Sequence, residues 1–101
     1  MQRDGEHTAE ILFYTLLERE NKAFAQLQEA ESDFLARYNA ASSPEADDSD
    51  VEEFGRWLQI GRRNIECARE RLAAITLERG LVRQALIAER ASKRNIENEE
   101  S

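Results

Sequence analysis

The acidic run Glu45-Ala46-Asp47-Asp48-Ser49-Asp50 is the densest group of potential ligands in this sequence. Carboxylates this close together supply the hard oxygen donors that hold calcium or magnesium. A calcium loop also needs a Gly at its sharp turn and a Glu closing the register, and the run has neither. It is therefore expected to be a solvated turn that caps the helix after it. Cys67 and His7 are the one cysteine and the one histidine, sixty positions apart. No disulfide can close within the chain, and zinc would lack its usual ligands. Nothing next to Cys67 in sequence activates its thiol, which is expected as a structural residue at the edge of a helical seam. There is no Gly-rich phosphate loop, no Ser/His/Asp set, no paired metal-ligand spacing and no basic-aromatic patch. No enzyme is expected, and no cofactor or metal.

Two charges stand out for another reason. Glu20 and Arg79 each interrupt an apolar stripe. Long side chains there either snorkel to the edge at little cost or pair with each other and fix the register of two helices.

The elements that must carry these residues follow from composition and period. The chain has 101 residues, 35% charged and 41% hydrophobic, with one Pro and four Gly. That is one domain at most, with little material for a globular core. Ala, Leu, Glu and Arg dominate, as in long helices and coiled coils, so strands are not expected. The net charge of −7 argues against nucleic acid or an anionic membrane as partner. No long apolar run exists for membrane insertion, and MQRDGEHTAE lacks the regions of a signal peptide, so a cytoplasmic location is expected.

From Val51 the positions Phe54, Leu58, Gly61, Ile65, Ala68, Leu72, Ile75, Arg79, Val82, Leu86, Glu89, Lys93 and Ile96 follow in alternating threes and fours, and ten of these fourteen are apolar. This is the a/d seam of a coiled coil. Ser49 and Glu52 have capping-box spacing, which predicts a helix over about 50–96 with a frayed tail at 97–101. A second stripe, Phe13, Leu16, Leu17, Ala23, Phe24, Leu27, Ala30, Phe34 and Tyr38, predicts a helix over about 8–41. Pro44 and the acidic cluster make 42–49 a turn.

The fold expected is all-α, a two-helix antiparallel coiled-coil hairpin with unequal arms. Charge agrees: residues 1–50 hold four basic and twelve acidic residues, net −8, and residues 51–101 hold ten and nine, net +1. Folding at the turn places Phe13 near Arg79 and leaves everything past about Leu86 as a partnerless projection, with Leu86, Ile87 and Ile96 its apolar points. Trp57, Ile60, Leu77, Leu81 and Ile87 fall off the seam. Trp57 with Ile60 is expected to meet another chain.

TLLERENKAFAQLQEAE, a polar turn, FGRWLQIGRRNIECARERL and RQALIAERASKRNIE together resemble the FliJ and YscO group of type III secretion and flagellar export stalk proteins, over about Ile11 to Glu97. These are antiparallel coiled coils. The resemblance implies a non-enzymatic scaffold of a protein export apparatus, with an export ATPase, export gate or chaperone as partner. Residues around Ile11 to Leu17 and Val82 to Arg94, Arg90 among them, would enter the ATPase ring. Phe54, Trp57, Leu58 and Ile65 would touch the gate or an escorted chaperone. The competing expectation is a small helical chaperone or adaptor, a homodimer joined through Trp57, Ile60 and Leu81 into a four-helix bundle that binds a partner helix. A stand-alone structural coiled coil is the third.

Overall fold

The chain folds into two long helices and no strand among the described residues: α1, Gln2–Ala41, and α2, Asp48–Glu100. The computed structural model describes the backbone of residues 2–100 and the side chains of 8–95, so the side chains of His7 and Ile96 lie outside the described residues. At 40 and 53 residues the arms are unequal, as expected, but both are longer than their seams required. α1 starts six residues before position 8, through Asp4, Gly5 and His7, which are weak helix formers, since propagation from a helix already nucleated by packing adds a hydrogen bond per residue. α2 runs to Glu100 through the acidic stretch expected to fray. Carboxylates at a helix C-terminus cost only about 0.3–1 kcal/mol each, which the backbone ladder outweighs.

Pro44 ends α1. It restricts Ser43 to extended conformations and offers no N–H of its own. The last carbonyls of α1 are met locally, Tyr38 O accepting from Ser42 N at 2.9 Å and Ala40 O from Ser43 N at 3.4 Å. The turn closes through Ala46 N on Ser43 O at 3.0 Å, with Glu45 N donating to Ser43 Oγ at 3.3 Å.

α2 opens with a capping box built from different residues than expected. Asp47 Oδ1 accepts from Asp50 N at 2.8 Å, and Asp50 Oδ2 accepts from Asp47 N at 3.1 Å. Asp47 takes the place assigned to Ser49. It lies earlier in the chain, and an ionised carboxylate accepts the orphan N–H more strongly than a hydroxyl does. Asp48 and Asp50 in the first turn also suit the positive end of the helix dipole.

The helices pack as two compact units, one made of the chain up to Asn21 with the chain from Ala74 onward, the other of Lys22–Ala73. In each, contacts run in opposite order along the two helices. In the unit of Lys22–Ala73, Gln26 meets Arg71 at 3.1 Å, Glu31 meets Arg69 at 3.6 Å, and Phe34 packs on Phe54 and Trp57. In the other, Glu10 meets Arg90 at 2.8 Å and Glu20 meets Arg79 at 3.0 Å. Each unit is an antiparallel helix pair.

The seam read from the sequence is the packed face. Phe54, Leu58, Ile65, Ala68, Leu72, Ile75, Arg79 and Val82 are half-buried and Gly61 and Leu86 buried; Val51 is exposed. Opposite them Leu16 and Ala23 are buried, with Phe13, Leu27, Ala30 and Phe34 half-buried, while Phe24 and Tyr38 stay exposed. In the unit that holds Arg79 the register differs by one heptad from folding at the turn: Arg79 meets Glu20, the pairing that the two interrupting charges had also offered, where Phe13 was placed. The partnerless projection after Leu86 goes with it. Leu86 is only 5% exposed, and Arg90 is tied to Glu10. The cause is the shifted register, which sets Arg90 beside Glu10, a residue already within the expected first helix.

Candidate interaction surfaces

Near the turn, Phe34, Tyr38, Phe54 and Trp57 form one aromatic cluster. Ring centroids lie 5.7 Å apart for Phe34–Trp57, 6.0 Å for Phe54–Trp57, and 6.1 Å for both Phe34–Phe54 and Tyr38–Phe54. Edge-to-face and tilted pairs at these distances each contribute about 0.5–1.5 kcal/mol beyond area burial. Trp57 sits one turn before Gly61 and lays its ring over that residue. A Cβ on Gly61 would lie 2.6 Å from Trp57 Cζ3 and 2.9 Å from Cζ2. This explains why a seam position of α2 holds glycine, at a helix cost of about 1 kcal/mol. The Arg37 guanidinium covers the ring, its Cζ 4.4 Å from the centroid, and is steered there by Asp33, whose Oδ1 accepts from Arg37 Nε at 3.3 Å.

Beside the cluster lies a groove of about 280 Å³, lined by Arg37, Ala40, Ala41, Asp50, Glu53 and Phe54. It is open to solvent and cannot exclude water as a reaction pocket does. Among the described residues no group of three or more His, Cys, Asp or Glu is placed to hold a metal ion. The turn carboxylates Asp47 and Asp50 are occupied in capping α2.

In the other unit the polar centre is Glu20. Its Oε2 accepts from Thr76 Oγ1 at 2.7 Å and from Arg79 Nε at 3.0 Å. The Thr76 hydroxyl first, and the Arg79 guanidinium second, hold the carboxyl below the ordinary glutamate value, against the opposing effect of desolvation. The Glu20 and Arg79 side chains are 20% and 24% exposed, so the pair sits at the seam's edge. This geometry ties α1 to α2 within the unit. Of the two alternatives open from sequence, contact between the two residues is the one observed.

The residues expected to bind partners divide sharply. Phe54, Leu58 and Ile65 are half-buried on their own seam, and Leu86 is buried in it. Trp57 is also half-buried: Phe34, Phe54 and Arg37 cover it, because the groove at Gly61 admits its ring. Arg90 is engaged by Glu10. Ile60, Leu81, Ile87 and Arg94 stand exposed. Cys67 is exposed as well, away from the seam edge, since its heptad position c points outward.

Ile11, Leu12 and Tyr14, within the stretch that the resemblance assigned to a partner, are exposed, and so is Leu35, which sequence reasoning passed over. It noted Leu77 as spare without assigning it a partner, and Leu77 is 67% exposed. The available signal was a second line of threes and fours along α2, with Leu77 and Leu81 at its centre. No helix among the described residues is long and apolar enough to cross a membrane. Compared with known proteins, the chain matches no family, no curated protein and no solved structure.

Proposed function

We propose that this chain is a non-enzymatic cytoplasmic adaptor, a helical hairpin that works by docking protein partners along its helices, with no role for nucleic acid. One observation carries this. Among the described residues eleven large hydrophobic side chains are at least 43% exposed, against three apolar residues that are buried. Single exposed apolar residues are ordinary. Here the exposed set outweighs the buried one, which suits a surface completed by another protein. The groove beside the aromatic cluster, open to solvent, suits a docking role better than a chemical one.

The export-apparatus form of this proposal is narrower. It is supported by the antiparallel hairpin, which the FliJ and YscO resemblance implies, and weakened by the loss of the expected projection past Leu86.

Affinity capture of the full chain from its native host tests both. A discrete partner at fixed stoichiometry, released by Ile11→Glu with Tyr14→Glu or by Leu77→Glu, supports the adaptor, and an export ATPase or gate component among the partners supports the narrower form. Recovery of the chain without any such partner sinks both.

A further inference from the structure

A second apolar line runs along α2 on the side away from the seam. With Val51 at heptad position a, the seam takes a and d, whereas Ala74, Leu77, Leu81, Gln84, Ala88 and Ala91 take c and f, and all six are exposed. None carries a charge. Leu77 and Leu81 are 67% and 59% exposed, and Ile87 beside them is 55% exposed. Between the two leucines in sequence stands Gly80, in mid-helix, where a Cβ would meet nothing within 4 Å. Its own chain gives no reason for a glycine that weakens the helix by about 1 kcal/mol relative to Ala.

We infer that this face is an isologous dimer interface, covered by α2 of a second copy lying antiparallel. This rests on the adaptor reading and names its first partner. The face offers Leu77, Leu81 and Ile87 at 67%, 59% and 55% exposure, out of 8199 Å² exposed by the chain. A stable interface needs roughly 800 Å² from each partner.

The line is self-complementary. Centred between Val82 and Arg83, the antiparallel pairing sets Ala74 on Ala91 of the second copy, Leu77 on Ala88 and Leu81 on Gln84, so every position of the line meets another and each Leu77 has an alanine opposite it. The flanking charges fall well too: Glu78 faces Ala85, Arg71 faces Ser92, and no like charges oppose each other. Gly80 then faces Ile87, and the missing side chain becomes the notch that receives it. The two Gln84 amides lie near the two-fold axis, where a polar seam residue fixes register.

Sedimentation equilibrium on the full chain at micromolar concentration tests this, with circular dichroism on each variant. The wild type is expected at about 23 kDa, twice the chain mass of 11.6 kDa. Leu77→Glu with Leu81→Glu is expected at the single mass with helicity kept. Gly80→Leu is expected to dissociate roughly tenfold or more readily, because the notch is filled, while its helicity holds or rises. A single-mass wild type overturns the dimer, as do variants that associate as tightly as wild type. Loss of helicity in Gly80→Leu overturns it also, since Gly80 would then serve its own chain. A monomeric wild type leaves the adaptor reading standing on partner capture, and failed capture leaves the mass measurement untouched.

Discussion

The two units close the same kind of seam by different physics. In the unit of Lys22–Ala73 four aromatic side chains, one of them a tryptophan fitted over Gly61, hold α1 to α2. In the unit of the remaining residues two aliphatic side chains, Leu16 and Leu86, are buried beside a polar cluster of Glu20, Thr76 and Arg79. Ring contacts depend on shape and are indifferent to pH. A carboxylate held by a hydroxyl and a guanidinium depends on its ionisation. The lesson is that heptad spacing supplies a seam, whereas its register is set by whatever interrupts the spacing: glycine in one unit, charge in the other.

The largest effect should come from the aliphatic side. Leu16 is fully buried, and Leu16→Ala should destabilise the chain by about 2–4 kcal/mol through lost transfer energy and the cavity left behind. A urea melt gives the number, and hydrogen exchange should show the earliest loss of protection at 8–21 and 74–95. Equal loss near Trp57 would erase the distinction between the units.

Gly61→Ala tests the aromatic side. The new methyl has no room beneath the Trp57 ring, so a loss of about 1–3 kcal/mol is expected although Ala favours helix. In a Trp57→Ala background the same change should instead stabilise, by about 1 kcal/mol. A double-mutant cycle without that change of sign would mean that the ring does not depend on the glycine.

The cap gives a smaller effect. Asp47→Ala should cost about 1 kcal/mol, and Ser49→Ala less than about 0.5 kcal/mol. The reverse ranking in thermal melts would restore Ser49 as the cap.

The smallest effect is a pH dependence, and its sign is fixed. Glu20 is held below its ordinary value in the folded chain. Its stabilisation is thus present above the unfolded-state pKa and is lost as pH falls through the folded one. At neutral pH Glu20→Gln should be less stable than wild type, and the gap should close on acidification below about 4.3, the ordinary glutamate value. A gap that stays constant in acid would show that the carboxylate does not hold this unit. Replacing Glu20 and Arg79 together by Leu should raise thermal stability and relax the choice of oligomer.

Much of the fold was legible because helical packing is periodic. Every seam position expected from Phe54 to Leu86 is at least half-buried, since a residue's heptad letter fixes which side of α2 it occupies. The turn was legible from Pro44 and its acids. Register was not, because sliding one helix by seven residues leaves every a and d in place; Phe13 and Glu20 are equivalent to the pattern and differ only in what they meet. The cap was ambiguous because Asp47 with Asp50 has the same spacing as Ser49 with Glu52. The covering of Trp57 was not legible, because its letter, g, says nothing of the glycine one turn on.

Period and composition by themselves determined two long helices, the faces they pack and the turn between them, because those depend on residue type and spacing along one chain. Tertiary structure alone decided which residue of α1 meets Arg79, that Trp57 is covered while Leu77 is bare, and that Asp47 caps α2. Each of these is a contest among near-equal local options, settled by distances of a few ångströms between groups that the linear sequence does not bring together.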